Sequence, residues 1–187
     1  MLHPFFFGYG SLVNRDSHNF PHGALAKISG WRRFWGHRIH AGEDHGVTSL
    51  SVHPVASAEI LGLIAAVPDD DWAALDLREA GYDRTIVPAD TIAHDAHVRE
   101  ISIYVARQPA PTPNEHFPIL QSYLDCVGQG FLREYGPEGL AHFFETTDNW
   151  GVIENDRLDP RYPRAVTLTE DERAQIDAHV AALDLPK

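Results

Sequence analysis

The alternation of apolar and polar positions changes its period along the chain, from strand-like in the first part to helix-like in the last. Pro4 to Phe7 is a short aromatic run that reads as a first strand. Arg33 to Ile39 mixes aromatic and basic residues, and Val47 to Val52 sets Leu50 and Val52 on one face. Ile60 to Val67 is almost wholly apolar, the pattern of a strand covered on both faces. Val98 to Ala106 alternates, with Ile101, Ile103 and Val105 pointing one way and Glu100, Ser102 and Tyr104 the other. Pro109-Ala110-Pro111-Thr112-Pro113 reads as an extended connector between the two parts.

Three helices are predicted. Pro68-Asp69-Asp70-Asp71 places carboxylates where the positive end of a helix dipole favours them, so a helix is expected over Trp72 to Glu79, stopped by Gly81. From about His116 to Tyr135, a stripe of Leu120, Tyr123, Leu124, Val127 and Phe131 predicts a second helix, ended by Gly136-Pro137. Thr169 and Glu172 form a capping box ahead of Ile176, Val180 and Leu183. Residues 144–168 read as an ordered, loop-like wrap. The expected arrangement is an α+β domain over residues 1–143 with an extension, 144–187, packed on the same domain.

A length of 187 residues supports a core without disulfide staples. Against 15 Lys and Arg stand 27 Asp and Glu, a net charge of −12. Such a surface repels phosphate, so no nucleic acid is expected as a partner, and no anionic membrane. No apolar run approaches the roughly 18 residues of a membrane span. Met1 to Phe7 lacks the basic start of a signal peptide, which leaves a cytoplasmic location as the default. The one cysteine, Cys126, excludes an internal disulfide and reads as a buried, inert thiol.

Two segments carry candidate chemistry. Phe6-Phe7-Gly8-Tyr9-Gly10-Ser11-Leu12 follows a predicted strand, and its glycines let backbone N–H groups face a ligand. The same loop also suits a plain tight turn. Val13 stands where a dinucleotide fingerprint needs its third glycine, and no Gly-Lys-Ser/Thr follows for a nucleotide loop. In Leu75-Asp76-Leu77-Arg78-Glu79, Glu79 shares a helix face with Trp72 and Leu75, so its carboxylate extends an apolar stripe inward. Burial and the negative end of the helix dipole both raise a carboxyl pKa, which suits a general acid/base. The structural alternative is a helix-end Glu paired with Arg78, Arg84 or a lysine. Among the 12 histidines, His37-x-x-His40 and His94-x-x-His97 lack the Glu of a zinc-protease motif, and no metal site is expected. No Gly-x-Ser-x-Gly elbow occurs.

In their order these pieces resemble the gamma-glutamylcyclotransferase family, including its glutathione-acting branch. The family's substrate loop is matched by Phe7-Gly8-Tyr9-Gly10-Ser11-Leu12, and its catalytic segment by Leu75-Asp76-Leu77-Arg78-Glu79. Gly30-Trp31-Arg32-Arg33-Phe34 is similar to a basic-aromatic stretch of the family, Gly62 to Val67 to its feeding strand, and Tyr104 to a pocket tyrosine. Ser11 is followed directly by Leu12, as in the glutathione-acting branch, and residues 143–187 have no counterpart in this motif order. The resemblance implies a small mixed β-barrel with flanking helices and a pocket at its mouth. It implies Glu79 as catalytic residue, with Gly8, Tyr9, Gly10, Ser11, Leu12 and Tyr104 at the substrate. It also implies a small γ-glutamyl compound cyclised to 5-oxoproline with no cofactor. A binding module that keeps the same pocket without catalysis is the alternative.

Overall fold

The computed structural model describes residues 3–88, 91–96, 98 and 100–185. Strands β1 (Pro4–Gly8), β2 (Ala24–His40), β3 (Gly46–Ala66), β4 (Tyr82–Val87), β5 (Ile92–His94) and β6 (Glu100–Ala106) form one mixed sheet in the order β4-β6-β1-β3-β2-β5. The short helix α1 (Ala73–Arg78) links β3 to β4. Helix α2 (Gln121–Glu145) and helix α3 (Glu170–Ala181) follow the sheet in sequence. Two-residue strands β7 (Ile119–Leu120) and β9 (Ile153–Glu154) pair with each other, and β8 (Thr147–Asp148) adds to β2. This is the α+β class expected: the sheet curls into a half-barrel with helices on its flanks.

At the centre lies β1, parallel to β6 and antiparallel to β3. All five of its residues are buried, as its aromatic composition demands. The stretches Val47–Val52 and Ile60–Val67 belong to one long strand, where two were predicted. The pairing explains why they read as separate. Ser29 faces Glu59 and Trp31 faces Pro54, so residues 55–58 bulge out opposite Gly30. A bulge of mostly small residues, Val55-Ala56-Ser57-Ala58, interrupts the alternation that a sequence reading follows. Likewise Arg33–Ile39 is the second half of a strand that starts at Ala24. Strand β4 escaped prediction because its four central residues are exposed, as an edge strand allows.

Helix α2 starts at Gln121, later than expected, because Asn114 and Phe117 close a turn first. It does not end at Gly136-Pro137. Gly136 takes a left-handed φ of +72°, and a further helical segment runs on to Glu145. Glycine permits that φ, and proline fits the first turn of the resumed helix because its missing N–H had no acceptor there. The Thr169 capping box forms as predicted: the Glu172 N–H donates to Thr169 Oγ1 at 3.2 Å and the Thr169 N–H to Glu172 Oε2 at 2.9 Å. Fully buried Ile176 of α3 packs over Gly128 of α2.

The irregular segment after β9 is pinned to the start of α2. Asp156 accepts the Ser122 N–H at 2.8 Å, the Ser122 hydroxyl at 2.6 Å and the Arg161 N–H at 2.9 Å. Burial pushes the Asp156 carboxyl up, but these hydrogen bonds outweigh it and hold the group below its ordinary value. Arg157 is tied to Asp125 and Asp177, each at 2.7 Å.

Arg33 locks sheet to helix. Its guanidinium is fully buried between the rings of Phe131 and Phe143, at 4.9 and 5.3 Å. It donates to the Leu61 carbonyl at 2.8 Å and to the Thr146 and Thr147 hydroxyls. Burial lowers its pKa to about 9, which leaves it protonated at neutral pH. Replacing it strands the Leu61 carbonyl and opens a cavity between two aromatic rings. Arg33→Ala is expected to lose roughly 3 kcal/mol of unfolding free energy in a urea titration. A change below about 0.5 kcal/mol would show that the contact does not hold the helix to the sheet.

Candidate active site

The loop after β1 is built by close approach. A Cβ on Gly8 would lie 2.6 Å from the Leu12 Cβ, so the chain can fold back over this position only with glycine there. The fold-back makes a single 3-10 turn, Ser11–Val13, closed by the Val13 N–H on the Gly10 carbonyl at 2.9 Å. The N–H groups of Ser11 and Leu12 find no backbone acceptor among the described residues. Ser17 donates its hydroxyl to the Ser11 carbonyl at 2.6 Å, and Arg78 donates to the Ser11 hydroxyl at 3.1 Å. The loop is thereby cross-braced to α1.

Glu79 sits directly after α1. Its N–H donates to the Leu75 carbonyl at 2.9 Å, and its own carbonyl accepts the Tyr82 N–H at 2.9 Å. Trp72 and Leu75 are buried on the face it extends. Its side chain is 16% exposed and its carboxylate lies 3.2 Å from Arg78 Nε. The inward-facing carboxylate and the helix-end ion pair, taken from the sequence as alternatives, therefore coexist. Burial raises the Glu79 pKa, while Arg78 and Arg164 oppose the rise without cancelling it.

The structure brings the sequence-predicted residues to one pocket. Gly8, Tyr9, Gly10, Ser11, Leu12, Glu79 and Tyr104 line it, and it is open to solvent. Phe7, Leu50, Tyr82 and Tyr123 complete the lining. Four phenols thus surround the carboxylate and feel its charge. Each is engaged elsewhere. Tyr9 donates to the Tyr104 carbonyl at 2.6 Å, Tyr82 to the Leu50 carbonyl at 2.7 Å and Tyr104 to Asp76 at 2.6 Å. The Tyr123 hydroxyl lies over Gly10. Among the described residues no phenol hydrogen-bonds Glu79, and Arg78 is its one ion partner. The carboxylate retains accepting capacity toward whatever enters the pocket.

Sequence reasoning missed Tyr82 and Tyr123 as pocket residues. Tyr123 was visible as part of an apolar helical stripe, and its hydroxyl was the one signal that it had a second role. Trp150 and Arg157, both in the tail, stay away from the pocket. Trp150 packs against Trp35 and Phe144, and Arg157 is held by carboxylates. Cys126 is buried and its thiol is pushed up to about 12 by that burial. His37 packs on Tyr82 and His40 on Phe117, while His97 lies outside the described residues. Among the described residues no three His, Cys, Asp or Glu side chains gather as a metal site, and no helix is long and apolar enough to cross a membrane.

A curled mixed sheet with a braced glycine loop and a buried glutamate at its mouth defines a class of fold, and comparison with known proteins places it. Residues 6–123 match the profile of the family described as gamma-glutamyl cyclotransferase, AIG2-like, and the chain belongs to that family. Among solved structures, one titled gamma-glutamyl cyclotransferase is 15% identical over 93% of this chain and 98% of its own, with a TM-score of 0.56. An uncharacterized protein from Homo sapiens is 16% identical over 92% and 97%, with a TM-score of 0.57. YkqA from Bacillus subtilis is 16% identical over 74% and 52%, with a TM-score of 0.54. These similarities show a shared fold. A span of 93% is longer than residues 1–143, so part of the tail has a counterpart in the first of these folds, which the motif order did not reveal. No curated protein matches the chain.

The raised Glu79 pKa carries a consequence for stability. Below the ordinary carboxyl value both folded and unfolded chains hold the proton. As pH rises past it, the unfolded chain ionises first, so the folded state loses relative stability until pH passes the folded pKa. Glu79→Gln removes that loss. The melting temperature of the variant is expected to rise relative to wild type between pH 4 and pH 8. A difference that moves the other way across this range would mean that Arg78 outweighs burial.

Proposed function

We propose that this chain cyclises γ-glutamyl amides to 5-oxoproline and releases the amine. The observation that carries the reading is Glu79: a buried carboxylate with accepting capacity, across a small pocket from a loop with free N–H groups. Glu79 takes a proton from the substrate's α-ammonium. The freed amine attacks the γ-carbonyl carbon, a C–N bond forms and the five-membered ring closes. The carbonyl oxygen gathers negative charge, which the Ser11 and Leu12 N–H groups stabilise. The intermediate collapses as the bond to the leaving nitrogen breaks; protonated Glu79 gives its proton to that nitrogen, takes the remaining extra proton from the ring nitrogen and passes it to the departing amine, which leaves as an ammonium while Glu79 is again a carboxylate.

The nucleophile and the electrophile belong to one molecule, so holding the substrate in its ring-closing conformer supplies much of the catalysis. Effective molarities of such reactions reach on the order of 10⁵ M or more. The enclosing phenols suit this positioning role, because the Tyr9, Tyr82 and Tyr104 hydroxyls are already committed. Membership of the gamma-glutamyl cyclotransferase, AIG2-like family supports the reading.

The test is release of 5-oxoproline from a panel of γ-glutamyl amino acids, γ-glutamyl alkylamides and glutathione. Wild type should turn over at least one class, and Glu79→Gln should lose roughly a thousandfold in kcat while keeping the wild-type circular dichroism spectrum. Activity should fall on the acid side with a midpoint above the ordinary glutamate value. Substrate that binds and leaves unchanged would instead make the protein a binding module.

A further inference from the structure

We propose that Arg164 is a specificity-determining residue of this pocket, selecting γ-glutamyl compounds whose leaving amine carries a carboxylate. The inference rests on the cyclisation reading above and adds to it which leaving groups are preferred.

A turn of the extension packs against Tyr123, which lines the pocket. The Ala165 N–H donates to the Tyr162 carbonyl at 3.0 Å, with Pro163 and Arg164 as the two central residues. Proline's fixed φ suits the first of those positions. Two contacts seat the turn. The Tyr162 N–H donates to the Ser122 hydroxyl at 3.3 Å, and the Tyr162 ring packs edge-on against Tyr123 at 4.9 Å. The Tyr162 phenol also interacts with the Ser11 hydroxyl. Ser11 and Tyr123 both line the pocket, so the turn abuts its wall. The Asp156 cluster fixes the chain just ahead of it.

Charge distinguishes Arg164 from its neighbours. Arg157 is neutralised by Asp125 and Asp177, and Arg161 by Glu154. Arg164 is exposed and has no carboxylate partner among the described residues, yet its charge is felt at Glu79 and Cys126. Arg78, the other cation beside the pocket, is committed to Glu79, Ser11 and the Ser17 carbonyl. A chain of net charge −12 repels an acidic substrate at long range, but salt screens that field over about 8 Å. A guanidinium beside the pocket wall, without a carboxylate partner among the described residues, then sets the local preference. The glutamyl end of a substrate faces the loop and Glu79, so its leaving amine extends toward the rim and a carboxylate there meets Arg164.

The experiment compares γ-glutamylglycine with γ-glutamylethylamide, which lacks the second carboxylate, each variant at the pH of its own maximal turnover. For Arg164→Gln, KM for γ-glutamylglycine should rise roughly five- to tenfold with kcat held, while both constants for the ethylamide stay within about twofold. Arg164→Lys should recover part of the loss. Equal losses on both compounds, or none on either, would overturn the assignment. If wild type releases 5-oxoproline from neither, the cyclisation reading fails, and calorimetric binding of the same two compounds then decides the inference. Tighter binding of γ-glutamylglycine that Arg164→Gln abolishes supports it; equal binding of the two, or no binding, overturns it.

Discussion

The arrangement depends on one constraint: the Glu79 carboxylate is taken out of water and held there. Burying a carboxylate costs several kcal/mol unless it is paired or protonated. Here the position is imposed by the backbone. Helix α1 has six residues, too few to be stable alone, and is anchored by fully buried Leu75. Glu79 closes that helix, and its carbonyl receives the Tyr82 N–H at the start of β4. Because β4 is zipped to β6 from Tyr82–Ala106 to Val87–Ile101, the backbone that carries Glu79 is held by helix on one side and strand on the other.

Around that carboxylate the fold spends its polar groups on itself. The Tyr9, Tyr82 and Tyr104 hydroxyls each donate to acceptors other than Glu79, and Arg78 divides its donors between Glu79, Ser11 and Ser17. Aromatic walls keep the dielectric low, while the braced loop carries two N–H groups, of Ser11 and Leu12, with no backbone acceptor among the described residues. Holding Glu79 out of water costs stability, as the upward direction of its pKa requires. The extension belongs to the same construction, since Tyr162 stands against Tyr123 on the outside of the pocket wall.

Much of this was legible before any coordinates. The loop from Gly8 to Leu12 and the Leu75–Glu79 segment announce themselves by local composition: glycines after an aromatic strand, and a carboxylate on an apolar face. Tyr104 stood out on an alternating strand. Other features depend on long-range pairing. The unity of β3 was hidden by its bulge at residues 55–58, which makes sense only against β2. Continuation of α2 past Gly136-Pro137 rests on a glycine kink that a one-dimensional pattern reads as a stop. Tyr82 comes to the pocket from the start of β4 and Tyr123 from the first turn of α2, and Tyr162 is set against Tyr123 by an Asp156 cluster that joins residues more than thirty positions apart.

Everything proposed for the pocket requires that burial outweigh the Arg78 ion pair at Glu79. Carbon-detected NMR titration of the glutamate side-chain carboxyls, with Glu79→Gln identifying the resonance, measures this directly. The expected midpoint for Glu79 lies clearly above the ordinary value of 4.5. A midpoint at or below that value would show that Arg78 holds the group ionised, and would contradict a carboxyl poised to take and return a proton.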